Sequence, residues 1–216
     1  MNKRNYQKEL DKLLACLEKE EKVPTLLLHS CCAPCSSYCL EYLSRYFAIT
    51  VFYYNPNIYP ESEYEERVHE QERLIAEMNT EGVKHPIRLV CGDYRPEVFY
   101  EAVKGLEKEP EGGDRCTECF KLRLYEAAKL AKEGNFDYFT TTLTISPLKD
   151  AERLNRIGEE AGEANGVQFL NSDFKKKNGY KRSTELSREH GLYRQDYCGC
   201  VFSRRGSNLD IDGKLL

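Results

Sequence analysis

Short apolar runs that alternate with helical stripes constrain this chain more than any other feature. Thr25–Leu28 lies between Pro24 and a polar cluster, and Ala48–Tyr54 ends at the turn Asn55-Pro56-Asn57. Ile87–Val90, Tyr138–Thr142 and Val167–Leu170 repeat the pattern. Runs this short, bounded by turn formers, read as buried strands. Between them, Tyr64, Val68, Gln71, Ile75 and Met78 fall on one face of a helix starting near Pro60. Phe120, Leu124, Ala127 and Ala131 form a second stripe that stops at Gly134. Leu154, Ile157, Ala161 and Ala164 form a third, opened by Asp150 and closed by Gly166. Strands joined through helices predict an α/β fold, a parallel sheet with helices on both faces. No repeat or low-complexity linker interrupts the pattern, so residues 1–216 read as a single α/β domain with an N-terminal helix over 1–22. Sheets of this kind place their sites at the carboxyl ends of the strands. Here the first strand runs into His29-Ser30-Cys31-Cys32-Ala33-Pro34-Cys35.

Composition narrows the setting. Hydrophobic residues make up 40% and charged ones 31%, with 15 Tyr and 9 Phe, a globular rather than a disordered balance. No stretch approaches the roughly 18 apolar residues that cross a bilayer. The first residues, MNKRNYQKELDKLLACLEKEEK, are too charged for the apolar core of a secretory signal, so a cytoplasmic location is expected. The net charge of −4 argues against a nucleic-acid partner, but its distribution is uneven. Asn57–Asp114 holds 15 acidic and 7 basic residues, a local −8, and Asp173–Arg194 holds 7 basic and 3 acidic, a local +4. Such asymmetry suits an anionic partner on one face and equally suits two ordinary solvated surfaces.

The cysteines carry the chemistry. Ten thiols in 216 residues are about 4.6%, below the ~8–10% of disulfide scaffolds. In a reducing compartment, clustered thiols point to metal or redox chemistry. Seven are clustered, as Cys31-Cys32-x-x-Cys35, Cys116-x-x-Cys119 and Cys198-x-Cys200. Cys16, Cys39 and Cys91 are scattered and read as small buried hydrophobes. The first cluster follows a strand. The second opens a helix, where free N–H groups favour thiolates. The third has Gly199 for a tight turn. Zinc and a cubane iron–sulfur cluster each take four such ligands. The surplus of three implies a second metal or a redox-active pair. Cys198 and Cys200 are the expected pair, because a disulfide across one residue is strained and easily reduced. Sheets of this class that split ATP need a glycine-rich turn after the first strand. Ser30–Cys35 has no glycine, and Pro34 removes an amide, so ATP chemistry is not expected there.

These residues resemble a known family, the QueH epoxyqueuosine reductases. His29–Cys35 is similar to the family's opening motif. So are Tyr54-Asn55-Pro56-Asn57-Ile58, Glu63-Tyr64 with Arg67, Arg115-Cys116-x-x-Cys119-Phe120, and Thr141-Thr142-Leu143 with Ser146-Pro147. The last match runs from Asp173-Phe174-Lys175-Lys176 through Tyr193-Arg194-Gln195 to Tyr197-Cys198-Gly199-Cys200. In order, the motifs span a core of about residues 24–205. The resemblance implies a Rossmann-like, adenine-nucleotide-hydrolase-like fold with a cysteine loop replacing the phosphate loop. It also implies a [4Fe-4S] cluster, and a tRNA substrate carrying epoxyqueuosine in its anticodon loop. By position, Cys31, Cys32, Cys116 and Cys119 would be the cluster ligands. Cys198 and Cys200 would be a redox pair or ligands of an additional iron ion, with Cys35 open between those sites.

The implied reaction removes an epoxide oxygen as water, with two electrons from an external electron donor and two protons. An open iron position would assist C–O cleavage as a Lewis acid, and an acid must protonate the oxygen. Asp173, Tyr54 and His29 lie near strand ends as acid candidates, although ordinary hydrogen bonding accounts for each. For RNA, Lys and Arg of Phe174–Arg182 would meet phosphates, while Phe174 and Tyr180 stack on loop bases. The acidic region would then face away from the tRNA. Two other readings compete: a tRNA sulfur-transfer or thiolation enzyme, and a zinc-stabilised RNA-binding module without catalysis.

Overall fold

The computed structural model describes residues 4–203. The first three residues of the expected N-terminal helix, and residues 204 and 205 of the expected core, lie outside them. The sheet has five parallel strands: β1 Thr25–Ser30, β2 Ala48–Tyr53, β3 Arg88–Cys91, β4 Tyr138–Thr141 and β5 Gln168–Phe169. Their spatial order is β3-β2-β1-β4-β5. The helices are α1 Tyr6–Lys19, α2 Ala33–Leu43, α3 Glu61–Glu81, α4 Pro96–Ala102, α5 Asp114–Glu133, α6 Ala151–Asn165 and α7 Gly179–Glu189. All five expected strands form, each within two residues of the apolar run that announced it. The order reverses beside β1, between β2 and β4, so the crevice outside the carboxyl ends of β1 and β4 is the topological switch point.

Both sheet faces are covered, which explains why β1 is apolar without alternation. Leu26 and Leu28 pack with Leu10, Leu14, Leu40 and Leu43, whereas Leu27 packs with Ala127, Ala128, Phe139 and Ala161. Each fully buried leucine contributes about 1.5–3 kcal/mol. The helix stripes hold with local shifts. On α3, Arg67 and Leu74 are buried and Val68 only half so. On α6, Ala164 is exposed, and Gly158 and Gly162 extend the packed face instead. A Cβ on Gly158 would stand 2.4 Å from the Phe169 ring, so that helix approaches β5 only through glycine.

Helices α2, α4 and α7 carry no long apolar stripe and were not expected. The most consequential is α2. Cys32 is its N-cap, and Pro34 sits in the first turn, where a missing N–H costs nothing. The segment read as a turn is therefore a strand-to-helix junction. Cys39 is buried on α2 as expected, but Cys16 and Cys91 are exposed. Cys16 lies off the Leu10–Leu14–Leu17 face of α1, and Cys91 ends the edge strand β3.

Candidate metal centre

Two strand ends and two helix starts meet at the switch point. His29 is next to last in β1, with Nδ1 2.9 Å from Thr141 Oγ1 on β4 and Nε2 3.1 Å from the Tyr54 carbonyl. The Cys31 amide donates to Thr142 Oγ1 at 3.4 Å. Asn55 donates from Nδ2 to the Ser30 carbonyl at 2.8 Å. These bonds fix the backbone that presents Cys31, Cys32 and Cys35. Their three sulfurs lie within 4.8 Å of one another, the only such group of His, Cys and carboxylate ligand atoms among the described residues. Cys35 thus joins Cys31 and Cys32 because the first turn of α2 carries it back over the strand end.

Cys116, Cys119, Cys198 and Cys200 line a neighbouring cavity, together with Arg115, Arg123 and Lys149. Cys116 and Cys119 ride on the first turns of α5, and the Gly112 amide donates to Cys116 Sγ at 3.2 Å. Cys198 and Cys200 flank Gly199, whose φ of +118° is open to glycine. That turn is pinned on three sides. The Tyr59 amide donates to the Gly199 carbonyl at 2.9 Å, Arg67 Nη1 to the Cys198 carbonyl at 3.4 Å, and the Tyr197 hydroxyl to the Tyr59 carbonyl at 2.7 Å. The cavity above the triad is also lined by Cys198, so this one sulfur belongs to both. The grouping is three thiols beside four, and the ligand set implied by the resemblance, Cys31 and Cys32 with Cys116 and Cys119, draws two from each. All ten cysteines are free thiols.

The electrostatics single out one sulfur, Cys31, as the thiolate and favour the protonated form of its neighbours. Within the triad, the neighbouring thiols of Cys32 and Cys35 hold Cys31 well below the ordinary thiol range, and Lys149 adds to this. The same contact with Cys31 pushes Cys32 up to about 12 and raises Cys35. Burial pushes Cys119 up to about 12 and also raises Cys200. Two buried guanidiniums face these sulfurs. Arg67 Nε donates to Glu63 at 2.7 Å, and Arg123 Nε to the Cys119 carbonyl at 3.1 Å. Nη2 of each is buried without a partner. Leaving a buried cationic donor unpaired is costly, so each of these groups calls for an anion beside it, Arg67 at the triad cavity and Arg123 at the four-thiol cavity. Cys31 Sγ and Cys32 Sγ are 3.8 Å apart. An all-sulfur donor set, beside unpaired cations, fits a thiolate-bound metal centre.

Several residues fall elsewhere than expected. Phe174 is fully buried against α2 and cannot stack on a base. Its basic neighbours are largely neutralised. Lys175 pairs with Asp173 at 2.8 Å, Lys177 with Asp11 at 2.7 Å, Lys181 with Glu185 at 3.8 Å, and Arg182 with Glu41 and Glu189, both at 2.7 Å. Tyr180 is 42% exposed and lines the triad cavity. Glu111, from the acidic region expected to face away, lines both thiol cavities. Of the acid candidates, burial drives His29 down to about 3, so it is neutral. Tyr54 stacks on Phe52 with ring centroids 5.6 Å apart, and Asp173 is held by Lys175. None of the three lines either thiol cavity. Sequence reasoning missed Arg123, Leu148 and Lys149. Leu148 is 81% exposed at the cavity rim, an apolar residue beside a lysine in a Ser-Pro turn.

A doubly wound sheet with thiols at the position of a phosphate loop defines a metal-competent α/β protein. Among the described residues, no helix is long and apolar enough to cross a membrane. The family model described as "Epoxyqueuosine reductase QueH" matches residues 26–206. Epoxyqueuosine reductase QueH of Streptococcus pyogenes is 42% identical over 207 residues, covering 96% of this chain and 81% of that protein. The protein of the same name from Staphylococcus epidermidis is 42% identical over 209 residues, 96% of this chain and 87% of its own. That from Thermotoga maritima is 36% identical over 199 residues, 88% and 97% respectively. The chain belongs to the QueH family.

Proposed function

We propose that this protein is an epoxyqueuosine reductase, which removes the epoxide oxygen of epoxyqueuosine in the anticodon loop of tRNA to give queuosine. The observation that carries the reading is the pair of thiol cavities that share Cys198 at the switch point. Family membership supports it. The Cys31, Cys32 and Cys35 thiolates would hold a [4Fe-4S] cluster and leave its fourth iron open, while Cys198 and Cys200 would provide a redox pair or, with Cys116 and Cys119, hold an additional iron ion. When bound, the cluster supplies electrons one at a time and an open Lewis-acid position. Buried Arg67 and Arg123 offset the negative charge of the thiolates. The half-open cavity above the triad admits the modified base, with Tyr180 and Leu148 at its rim. Electrons come from an external donor without ATP, and the reaction takes place in the cytoplasm.

The test loads tRNA containing epoxyqueuosine, supplies a low-potential reductant, digests the product to nucleosides and follows the mass of one oxygen. Oxygen loss with wild-type protein is expected, and Cys198→Ala or Cys200→Ala should abolish it while the triad keeps its iron. Reduced, iron- and sulfide-replete protein that leaves the epoxide intact would refute the reading. Metal analysis separates the zinc-module alternative, which requires zinc without labile sulfide. Strict ATP dependence would favour sulfur transfer.

A further inference from the structure

The reaction proposed above needs a proton source that sequence reasoning did not locate. Lys149 follows Ser146-Pro147-Leu148, just beyond the carboxyl end of β4 and one residue before the Asp150 cap of α6. Its side chain lines both thiol cavities, and also a third lined by Asp173 and Lys176. The wall common to the two thiol cavities consists of Glu111, Leu148, Lys149, Cys198 and Ser203. A substrate reaching from the triad toward Cys198 and Cys200 therefore passes Lys149. Lys175, Lys177 and Arg182 each have a carboxylate partner, yet Lys149 makes no ion pair among the described residues. The sulfurs of Cys198, Cys31 and Cys35 hold its proton more tightly than an ordinary lysine's, so Lys149 stands charged and gives that proton only to an oxygen as basic as the alkoxide left by the first C–O cleavage.

Several competing groups on these walls are occupied or unsuited. Arg115 and Arg123 also line the four-thiol cavity, but a guanidinium does not release its proton. The Tyr197 hydroxyl is committed to the Tyr59 carbonyl at 2.7 Å. Glu111 is exposed to solvent at the rim.

We infer that Lys149 is a catalytic residue of this reaction, its ammonium hydrogen-bonding the epoxide oxygen and donating a proton to it as the C–O bonds break. The inference rests on the proposed activity. Both C–O bonds break, a double bond forms between the two former epoxide carbons, and the oxygen leaves as water. This consumes two electrons from the external reductant and two protons. Lys149 delivers one proton and solvent water the other, and Lys149 is then reprotonated through the cavity that opens toward Lys176.

The experiment compares wild type, Lys149→Met, Lys149→Arg and Lys149→Ala, all iron- and sulfide-loaded. Two quantities are measured: single-turnover rate, and equilibrium affinity of the oxidised, non-reacting protein for tRNA bearing epoxyqueuosine or queuosine. General-acid loss lowers rates by roughly 10²–10⁴-fold. Lys149→Met should slow single turnover at least ~100-fold at unchanged iron content, and Lys149→Arg should remain slow because arginine holds its proton. Added ethylammonium should restore Lys149→Ala by at least about tenfold. Wild type should bind epoxyqueuosine tRNA several-fold more tightly than queuosine tRNA, and Lys149→Met should erase that preference. Retained turnover in Lys149→Met, wild-type rates in Lys149→Arg, or iron loss that tracks the rate would overturn the inference, leaving Lys149 as a counter-ion of the thiolates. Failure of wild type itself to convert the substrate would instead refute the activity, and this inference with it.

Discussion

Replacing Gly199 with alanine tests whether the Tyr197–Cys200 turn is what aims the third thiol pair. Gly199 has φ of +118°, and a Cβ there would lie 2.9 Å from Ile58 Cγ1 and 3.1 Å from Arg67 Nη1. Ile58 is only 1% exposed and cannot swing away. Arg67 Nη1 would have to leave the Cys198 carbonyl, which it meets at 3.4 Å. A side chain in such a backbone region costs about 1–3 kcal/mol. The weakened hydrogen bond adds about 0.5–1.5 kcal/mol. The sum, about 1.5–4.5 kcal/mol, either lowers the melting temperature by about 3–18 °C or is relieved by the turn lifting off. In the second case Cys198 and Cys200 react faster with a thiol reagent such as dithionitrobenzoate. Calorimetry and timed thiol labelling with peptide mapping read the two outcomes. A Gly199→Ala protein with the wild-type melting temperature, and unchanged labelling of both cysteines, would refute the reasoning that this glycine is required.

Cys35→Ala should lose most of the reconstituted iron, whereas Cys39→Ala, one turn further along the same helix and buried, should keep it; iron and sulfide assays on anaerobic protein decide. Arg194→Gln, at the wall of the triad cavity and in no ion pair among the described residues, should reduce the slope of log affinity for tRNA against log salt by about 0.7–0.9. Lys177→Gln with Lys181→Gln should leave that slope unchanged, since Asp11 and Glu185 already pair with those residues. Asp137 accepts from the Thr25 amide and hydroxyl, both at 2.8 Å, and the amide bond in particular holds its carboxyl below the usual range. A depressed carboxyl stabilises the fold above its unfolded value and loses that contribution as pH falls through the folded one. Asp137→Asn should therefore cost about 0.5–1 kcal/mol near pH 7, small because the group is exposed, and flatten the fall in stability below about pH 4. Urea unfolding across pH 3–7 checks this.

The sequence was sufficient for the sheet because its signal is local and periodic. An uninterrupted Leu26-Leu27-Leu28 run means burial on both faces, wherever the covering helices come from. The stripes on α3, α5 and α6, stopped by Gly82, Gly134 and Gly166, likewise need only neighbours three and four residues away. The thiol motifs and the lack of glycine after β1 were equally legible, as was the chemistry they permit. Helix α2 was not, because its start rests on a cap and a proline rather than on a stripe. Nor was the burial of Phe174. A run of lysines marks a solvated surface, but the contacts of Phe174 with α2 come from residues more than a hundred positions away. Which sulfurs meet was decided by tertiary structure alone. The spacing Cys31-Cys32-x-x-Cys35 closes a triad because a strand end turns into a helix within two residues. Cys198 reaches both cavities because Arg67 and Tyr59 hold its loop from α3 and the segment before it. Lys149 stands between the cavities because the strand order places β4 next to β1. Spacing along a chain sets local geometry within a turn or two, whereas the meeting of distant segments depends on strand order and on contacts that no local pattern encodes.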